Sequence, residues 1–270
     1  MDECIASYKK NGYFINKNLI SNQDCNKIIS MLNDIKTDMK IPHTNIQFGY
    51  GNIINNSLSN IITENQFIKD FCKNIYDNNN YYYNSLYVHN KHRWVGPDIE
   101  WHQEFSNIKT FHPTNKNYSV EEIKNNFIQI YIALEDQNLE NGGLKIIPYH
   151  DSFLKHYDTT NLHLNHKRAI EPEELDKIYN THGIINLNLK MGDVLFFNHL
   201  IPHSSSSNNS PFDRKAMVFL TYKNNENFDE VIRENEKEYR KKFALNYIEN
   251  ILNEKNNKPM YECGKENKKI

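Results

Sequence analysis

The sequence predicts a mainly β fold, a jelly roll or related barrel with helices on its flanks. Three observations carry that expectation. Phe127–Leu134 (FIQIYIAL) is a β-branched and aromatic run, apolar on both faces except at Gln129, as a strand buried in a sandwich requires. Turn signals recur before short apolar runs. Asn141-Gly142-Gly143 leads into Leu144–Ile147, which Pro148 ends, and Met191-Gly192-Asp193 leads into Val194–Phe197. The βαβ alternation of a parallel sheet is missing, which counts against a Rossmann-type enzyme.

Taken in order, Gly12–Ile15 reads as a short strand after a turn. A helix follows, with Ser21 and Asp24 as its capping signal and Cys25, Ile28, Ile29, Leu32 and Ile35 on one face. From about residue 80 to 222 the signals are mostly strand, ending with Ala216–Tyr222 (AMVFLTY). Within that span, residues 150–185 are polar and histidine-rich, an expected insertion or lid over one end of the barrel. Residues 228–254 are expected to be helical, with Ile232, Tyr239, Phe243, Tyr247 and Ile251 on one stripe. That stripe fits a helix packed outside the sheet, with an oligomer contact as the alternative. No repeat or linker interrupts the pattern, so residues 1–270 are expected to form a single domain.

Whole-chain properties narrow the function. The chain has 270 residues and a formal net charge of −2, with acids and bases mixed throughout. It offers no basic stripe for nucleic acid. Cys4, Cys25, Cys72 and Cys263 are far apart and form no CxxC, so reduced thiols are expected rather than disulfides or a zinc knuckle. MDECIASYKK has no apolar core of a signal peptide, and no run approaches the length of a membrane span. A cytoplasmic protein without membrane or nucleic-acid partners is the expectation.

The chemistry centres on Trp101-His102-Gln103-Glu104. On an extended strand, residues two apart share a side, so His102 and Glu104 can reach one ion. His203 follows the strand VLFF and supplies a third donor; His199, four residues earlier, is its rival. Two imidazoles and one carboxylate on one face leave coordination positions open, as non-haem Fe(II) needs for co-substrate and oxygen. Arg214 lies eleven residues after His203, where a guanidinium can make a two-pronged pair with a dicarboxylate. Ser205 adds a hydroxyl on the same approach. Trp94 and Trp101 read as core residues beside the site, and Lys109, His112 and Lys116 as a loop that either meets an anionic substrate or is simply solvated.

These residues resemble the phytanoyl-CoA dioxygenase family of iron(II)/2-oxoglutarate oxygenases. The resemblance runs through GYFINKNLIS, WHQE, ALEDQNLENGGLKIIP, GDVLFFNHLIPHSSSS and the arginine-led last strand, in that order. It implies a double-stranded β-helix, the cupin-like jelly roll, with Fe(II) on His102, Glu104 and His203. It further implies 2-oxoglutarate anchored by Arg214, with Ser205, Tyr131 and Lys91 around it, and O2 as oxidant. The expected reaction is hydroxylation of a small polar or anionic molecule with release of succinate and CO2. The chain departs from the family's pattern at three points. Glu104 stands where Asp is commoner, Pro148-Tyr149-His150-Asp151 replaces PGSH, and Asn198 replaces a histidine after GDVLFF. A carboxylate at 104 argues against a halogenase, which leaves that coordination position for halide. Two other readings stay open: a cupin-like metal-dependent isomerase or hydrolase, which needs no dicarboxylate clamp, and a non-catalytic metal-binding jelly roll.

Overall fold

Two antiparallel sheets lie face to face, and the side-chain period of two decides which residues fill the space between them. A computed structural model describes residues 1–34, 43–50, 57–77, 81–104, 119–149, 155, 157, 159–160, 169–179 and 183–223. The chain divides into two units, Met1–Asn107 with Asn117–Asn224, and Ile108–Lys116 with Asn225–Ile270. The second unit, including the expected helix at 228–254, lies outside the described residues.

The helices are α1 (Asp2–Asn11), α2 (Asn22–Asp34), α3 (Ser57–Thr63), α4 (Gln66–Tyr76), α5 (Val120–Asn126) and α6 (Pro172–Tyr179). The strands are β1 (Tyr13–Asn16), β2 (His43–Tyr50), β3 (Tyr81–Lys91), β4 (Ile99–His102), β5 (Phe127–Ala133) and β6 (Leu144–Ile146). They continue with β7 (Thr159–Thr160), β8 (Ala169–Ile170), β9 (Ile185–Asn186), β10 (Val194–Asn198), β11 (His203–Ser205) and β12 (Arg214–Lys223). The large sheet has the order β1-β10-β5-β12-β3-β2 and the small sheet β4-β11-β6-β9; β7 and β8 pair separately. This is the jelly roll that the sequence predicts.

β5 shows why its sequence is apolar on both faces. Ile128, Ile130, Ile132 and Leu134 pack with Ile28, Phe71, Ile75 and Tyr76 of the covering helices. Tyr131 and Ala133 point the other way, into the space shared with Leu144, Ile146, Leu195, Phe197 and Val218. Ser21 caps α2 as expected, its Oγ accepting the Asp24 N–H at 3.0 Å. α1 is a helix that the sequence reading placed nowhere; acids at Asp2 and Glu3 and lysines at Lys9 and Lys10 suit its dipole.

Asp193 explains the Met-Gly-Asp turn. Its carboxylate, 2% exposed as a residue, accepts from the Asn18 and Lys190 backbone N–H groups and from the Lys17 ammonium. The turn thereby ties β10 to the chain between β1 and α2. Asn198 has an equally structural role: its amide donates to the carbonyls of Ile123, Lys124 and Phe127 and accepts the Leu200 N–H. That explains an asparagine in place of the family's histidine.

Part of the expected lid at 150–185 is described. Tyr157, Ile170 and Ile178 pack with Trp101 and Ile147. Lys155 pairs with Glu174 of α6. His150, His156, His163 and His166 lie outside the described residues, as do Lys109, His112 and Lys116. Trp101 is 8% exposed, as expected for a core residue, but Trp94 is not core. Its side chain is 63% exposed, and its φ of 64° places it in the left-handed region that rarely suits a bulky residue. The β3–β4 loop is held there by the Trp94 N–H donating to the Ser210 carbonyl and by Asn208 donating to the Lys91 carbonyl.

Candidate metal and co-substrate site

β4 and β11 are neighbours in the small sheet, and their register sets His102 directly opposite His203. The two rings lie 4.1 Å apart between centroids. Glu104, two residues beyond His102, places Oε1 3.8 Å from His102 Nε2 and 3.5 Å from His203 Nε2. Donors bound to one divalent ion at about 2.1 Å each cannot stand more than about 4.2 Å apart, so both separations fit a shared ion. Among the described residues, these three form the one cluster of histidine, cysteine and acidic side chains able to hold a metal. His199 is not part of it. It sits buried in the turn after β10 with its ring against Phe127, and burial pulls its imidazole down to about 4.

The second ring nitrogens are committed to the backbone. His102 Nδ1–H donates to the Glu100 carbonyl at 2.7 Å, and His203 Nδ1–H to the Ile201 carbonyl at 3.0 Å. A carbonyl only accepts, so both Nδ1 atoms carry a proton, and Nε2 is the nitrogen that each ring turns toward Glu104 and can offer to a metal. Phe197 packs edge-on against the His203 ring and fixes its plane. Burial acts to raise the Glu104 carboxyl. The hydrogen bond and charge of His203, with the charges of His102 and His199, outweigh it and hold the group well below the usual carboxylate range. Gln103 points the other way, as the strand alternation predicts. Its amide donates to the Lys155 and Leu200 carbonyls and accepts the Tyr157 N–H, pinning the metal-bearing strand from behind.

A second cluster gathers the other predicted residues. Arg214 begins β12 opposite Lys91, the last residue of β3. Both are buried, at 2% and 0% exposure. One Arg214 terminal N–H donates to the Tyr131 hydroxyl at 2.8 Å, and that hydroxyl donates to Gln137 at 2.7 Å. Arg214 Nε is buried with no hydrogen-bond partner. A buried guanidinium with an unmet donor fits an incoming carboxylate. Lys91 Nζ donates to Ser205 Oγ at 2.7 Å and to the Ser206 carbonyl at 2.6 Å. Ser205, two residues after His203 on β11, links this cluster to the metal donors.

Two glycines make room for the lysine. A Cβ on Gly142 would stand 2.6 Å from Lys91 Cδ, and one on Gly96 would stand 2.2 Å from Lys91 Cγ. The Asn-Gly-Gly turn is therefore tied to the site. Asn141 holds it by donating to the Asp136 carbonyl and accepting the Asn138 N–H. The sequence reading missed His89, two residues before Lys91 and so on the same strand face; that period-two relation is the signal that finds it. Burial, then the charges of Arg214 and Lys91, outweigh Glu104 and bring its imidazole down to about 3.

Burial, followed by the Arg214 charge, lowers the Lys91 ammonium to about 6 from 10.5, against the opposing pull of Asp98. Between those two pH values the unfolded chain binds more protons at this residue than the folded one, so stability rises with pH across that window. Below it the cost of burying the charge is paid in full. Urea unfolding of metal-free protein at pH values from 6 to 9 is expected to show this rise, and Lys91→Met is expected to flatten it. Parallel curves for the two proteins would show that Lys91 does not titrate there.

The family model for phytanoyl-CoA dioxygenase (PhyH) matches residues 8–216. The chain belongs to the phytanoyl-CoA dioxygenase family. It is 29% identical over 156 residues to the ectoine dioxygenases of Bordetella parapertussis (strain 12822) and Bordetella bronchiseptica (strain RB50), a match over 53% of this chain and 47% of theirs. The chain thus spans about half the length of the relatives it matches. Among solved structures, EctD from S. alaskensis with 2-oxoglutarate and 5-hydroxyectoine is similar at a TM-score of 0.62 and 16% identity, covering 83% of this chain and 76% of that one. The epimerase SnoN, in complex with Fe3+, alpha ketoglutarate and nogalamycin RO, is similar at 0.61 and 13% identity, covering 82% and 83%. These likenesses establish the phytanoyl-CoA dioxygenase fold. No helix among the described residues is long and apolar enough to cross a membrane.

Proposed function

We propose that this chain is an Fe(II)- and 2-oxoglutarate-dependent dioxygenase that hydroxylates a small polar metabolite, releasing succinate and CO2. One observation carries the reading. A three-donor metal constellation with the Nδ1–H of both imidazoles held by backbone carbonyls lies on the same strand as Ser205, whose hydroxyl accepts from Lys91, the residue paired with Arg214, a buried guanidinium with an unmet donor. His102, Glu104 and His203 would hold the iron, and Arg214 the far carboxylate of 2-oxoglutarate. Tyr131 orients the guanidinium, while Lys91 and Ser205 supply further polar contacts. When bound, iron and 2-oxoglutarate supply the oxidation of a C–H bond by O2. The protein's own part is to fix the donors, hold the Nδ1–H of each histidine on a backbone carbonyl so that Nε2 faces the metal position, and neutralise a dianion in a buried place.

A metal-dependent hydrolase on the same fold has no use for Arg214, and this favours the oxygenase reading. The relatives' activity on ectoine makes a small polar substrate the natural class, acted on in the cytoplasm. Free thiols at Cys4, Cys25 and Cys72 accord with that setting. We also read residues 1–270 as a single oxygenase domain. With iron, 2-oxoglutarate, O2 and ectoine as the first probe, succinate formation is expected to exceed the rate without probe and to stop on chelation. Should ectoine have no effect, other polar metabolites follow. Succinate absent under every condition, including without a probe, would overturn the reading.

A further inference from the structure

The register of the large sheet lays out its inner wall row by row. One row sets Lys91 opposite Arg214. The next row, two residues along each strand, sets His89 opposite Ala216 and Ala216 opposite Ala133. A third sets Val218 opposite Tyr131 and Tyr131 opposite Leu195. Ala133, Ala216, Val218, Tyr131 and Leu195 all belong to the cluster between the sheets, so these rows face the small sheet and its metal donors.

The middle row differs from its neighbours. Ala216 and Ala133 are fully buried and end at Cβ, which makes this the shallowest part of the wall. His89 is the one polar side chain among these three residues, and it keeps partial exposure. Groups at both ends of the site lie near enough to influence its protonation: Arg214 and Lys91 on one side, Glu104 and His203 on the other. A side chain acted on by both ends, on the wall that joins them, stands beside the path between metal and guanidinium. 2-Oxoglutarate, held at the metal by one end and at Arg214 by the other, would have to occupy that path.

We infer that His89 is a binding residue for 2-oxoglutarate, lying along the trough formed by Ala216 and Ala133 and hydrogen-bonding the 2-oxo acid end. This rests on the iron and 2-oxoglutarate reading above. Phenylalanine at position 89 would fill the same space without a hydrogen-bonding group, whereas glutamine would keep one.

The test is anaerobic titration of Fe(II)-loaded protein with 2-oxoglutarate, followed by the visible metal-to-ligand charge-transfer band. His89→Phe and His89→Ala are expected to weaken 2-oxoglutarate binding about tenfold, as loss of one hydrogen bond to a charged group does, and to shift the band. His89→Gln is expected to recover most of the affinity. Fe(II) affinity and the urea midpoint are measured on each variant, and a purely structural role would move these first. Titrations of His89→Phe and His89→Ala that match wild type would overturn the assignment, as would His89→Gln failing as badly as His89→Ala. Absence of the band in wild type would instead be a failure of the iron and 2-oxoglutarate reading, seen before any variant is compared.

Discussion

His203→Ala is expected to abolish 2-oxoglutarate turnover and to strip the protein of tightly held iron. The reason lies in the number of donors. Among the described residues, three side chains converge on the place an ion would take, and removing one leaves a pair that cannot define a face. Loss of an outer-shell partner at metal sites costs roughly 10–100-fold, and loss of a donor itself is expected to exceed about 10³-fold. Metal analysis after desalting and succinate release without substrate are the two readouts. His199→Gln is the matched control. It changes a buried histidine four residues away that lies outside the donor set, and it is expected to retain iron. Equal loss in the two variants would mean that folding, not coordination, explains the effect.

Arg214→Ala is expected to weaken 2-oxoglutarate binding by about 10²-fold or more, because truncating one partner of a buried charge pair costs on the order of 2–5 kcal/mol. Lysine is expected to be a poor substitute, since it cannot offer the planar two-pronged donor set. It would also place a second ammonium beside Lys91, whose charge is already disfavoured there. Calorimetric titration of the iron-loaded protein with 2-oxoglutarate gives the affinity directly. Unchanged affinity in Arg214→Ala would remove the guanidinium from the co-substrate site.

Much of this was legible in the sequence because a few constraints are local. Ile130–Ala133 of β5, Val194–Phe197 of β10 and Ala216–Phe219 of β12 are buried on both faces, so these stretches are apolar without a gap and announce themselves. His102 and Glu104 share a strand face by the period of two alone. The capping serine of α2 and the Met-Gly-Asp turn are likewise short-range signals, and the hydrogen bonds of Ser21 and Asp193 bear them out. Other features depend on pairings that no spacing records. That Lys91 meets Ser205 across 114 residues follows from β3 pairing β12 and from two glycines that clear its path. The role of Gln103 depends on which segment covers the back of β4. Trp94 misled because a tryptophan is a core residue by composition. Its place in a loop, pinned by Asn208 and Ser210, is set by hydrogen bonds between distant residues.

The central claim is that the three donors and Arg214 form one iron and 2-oxoglutarate site. Adding 2-oxoglutarate to anaerobic Fe(II)-loaded protein tests it most directly, since the visible charge-transfer band requires both partners on the same centre. The account predicts a band in wild type that is lost in Glu104→Ala and needs far more 2-oxoglutarate in Arg214→Ala. A folded, iron-loaded wild-type protein that shows no band at saturating 2-oxoglutarate would contradict it.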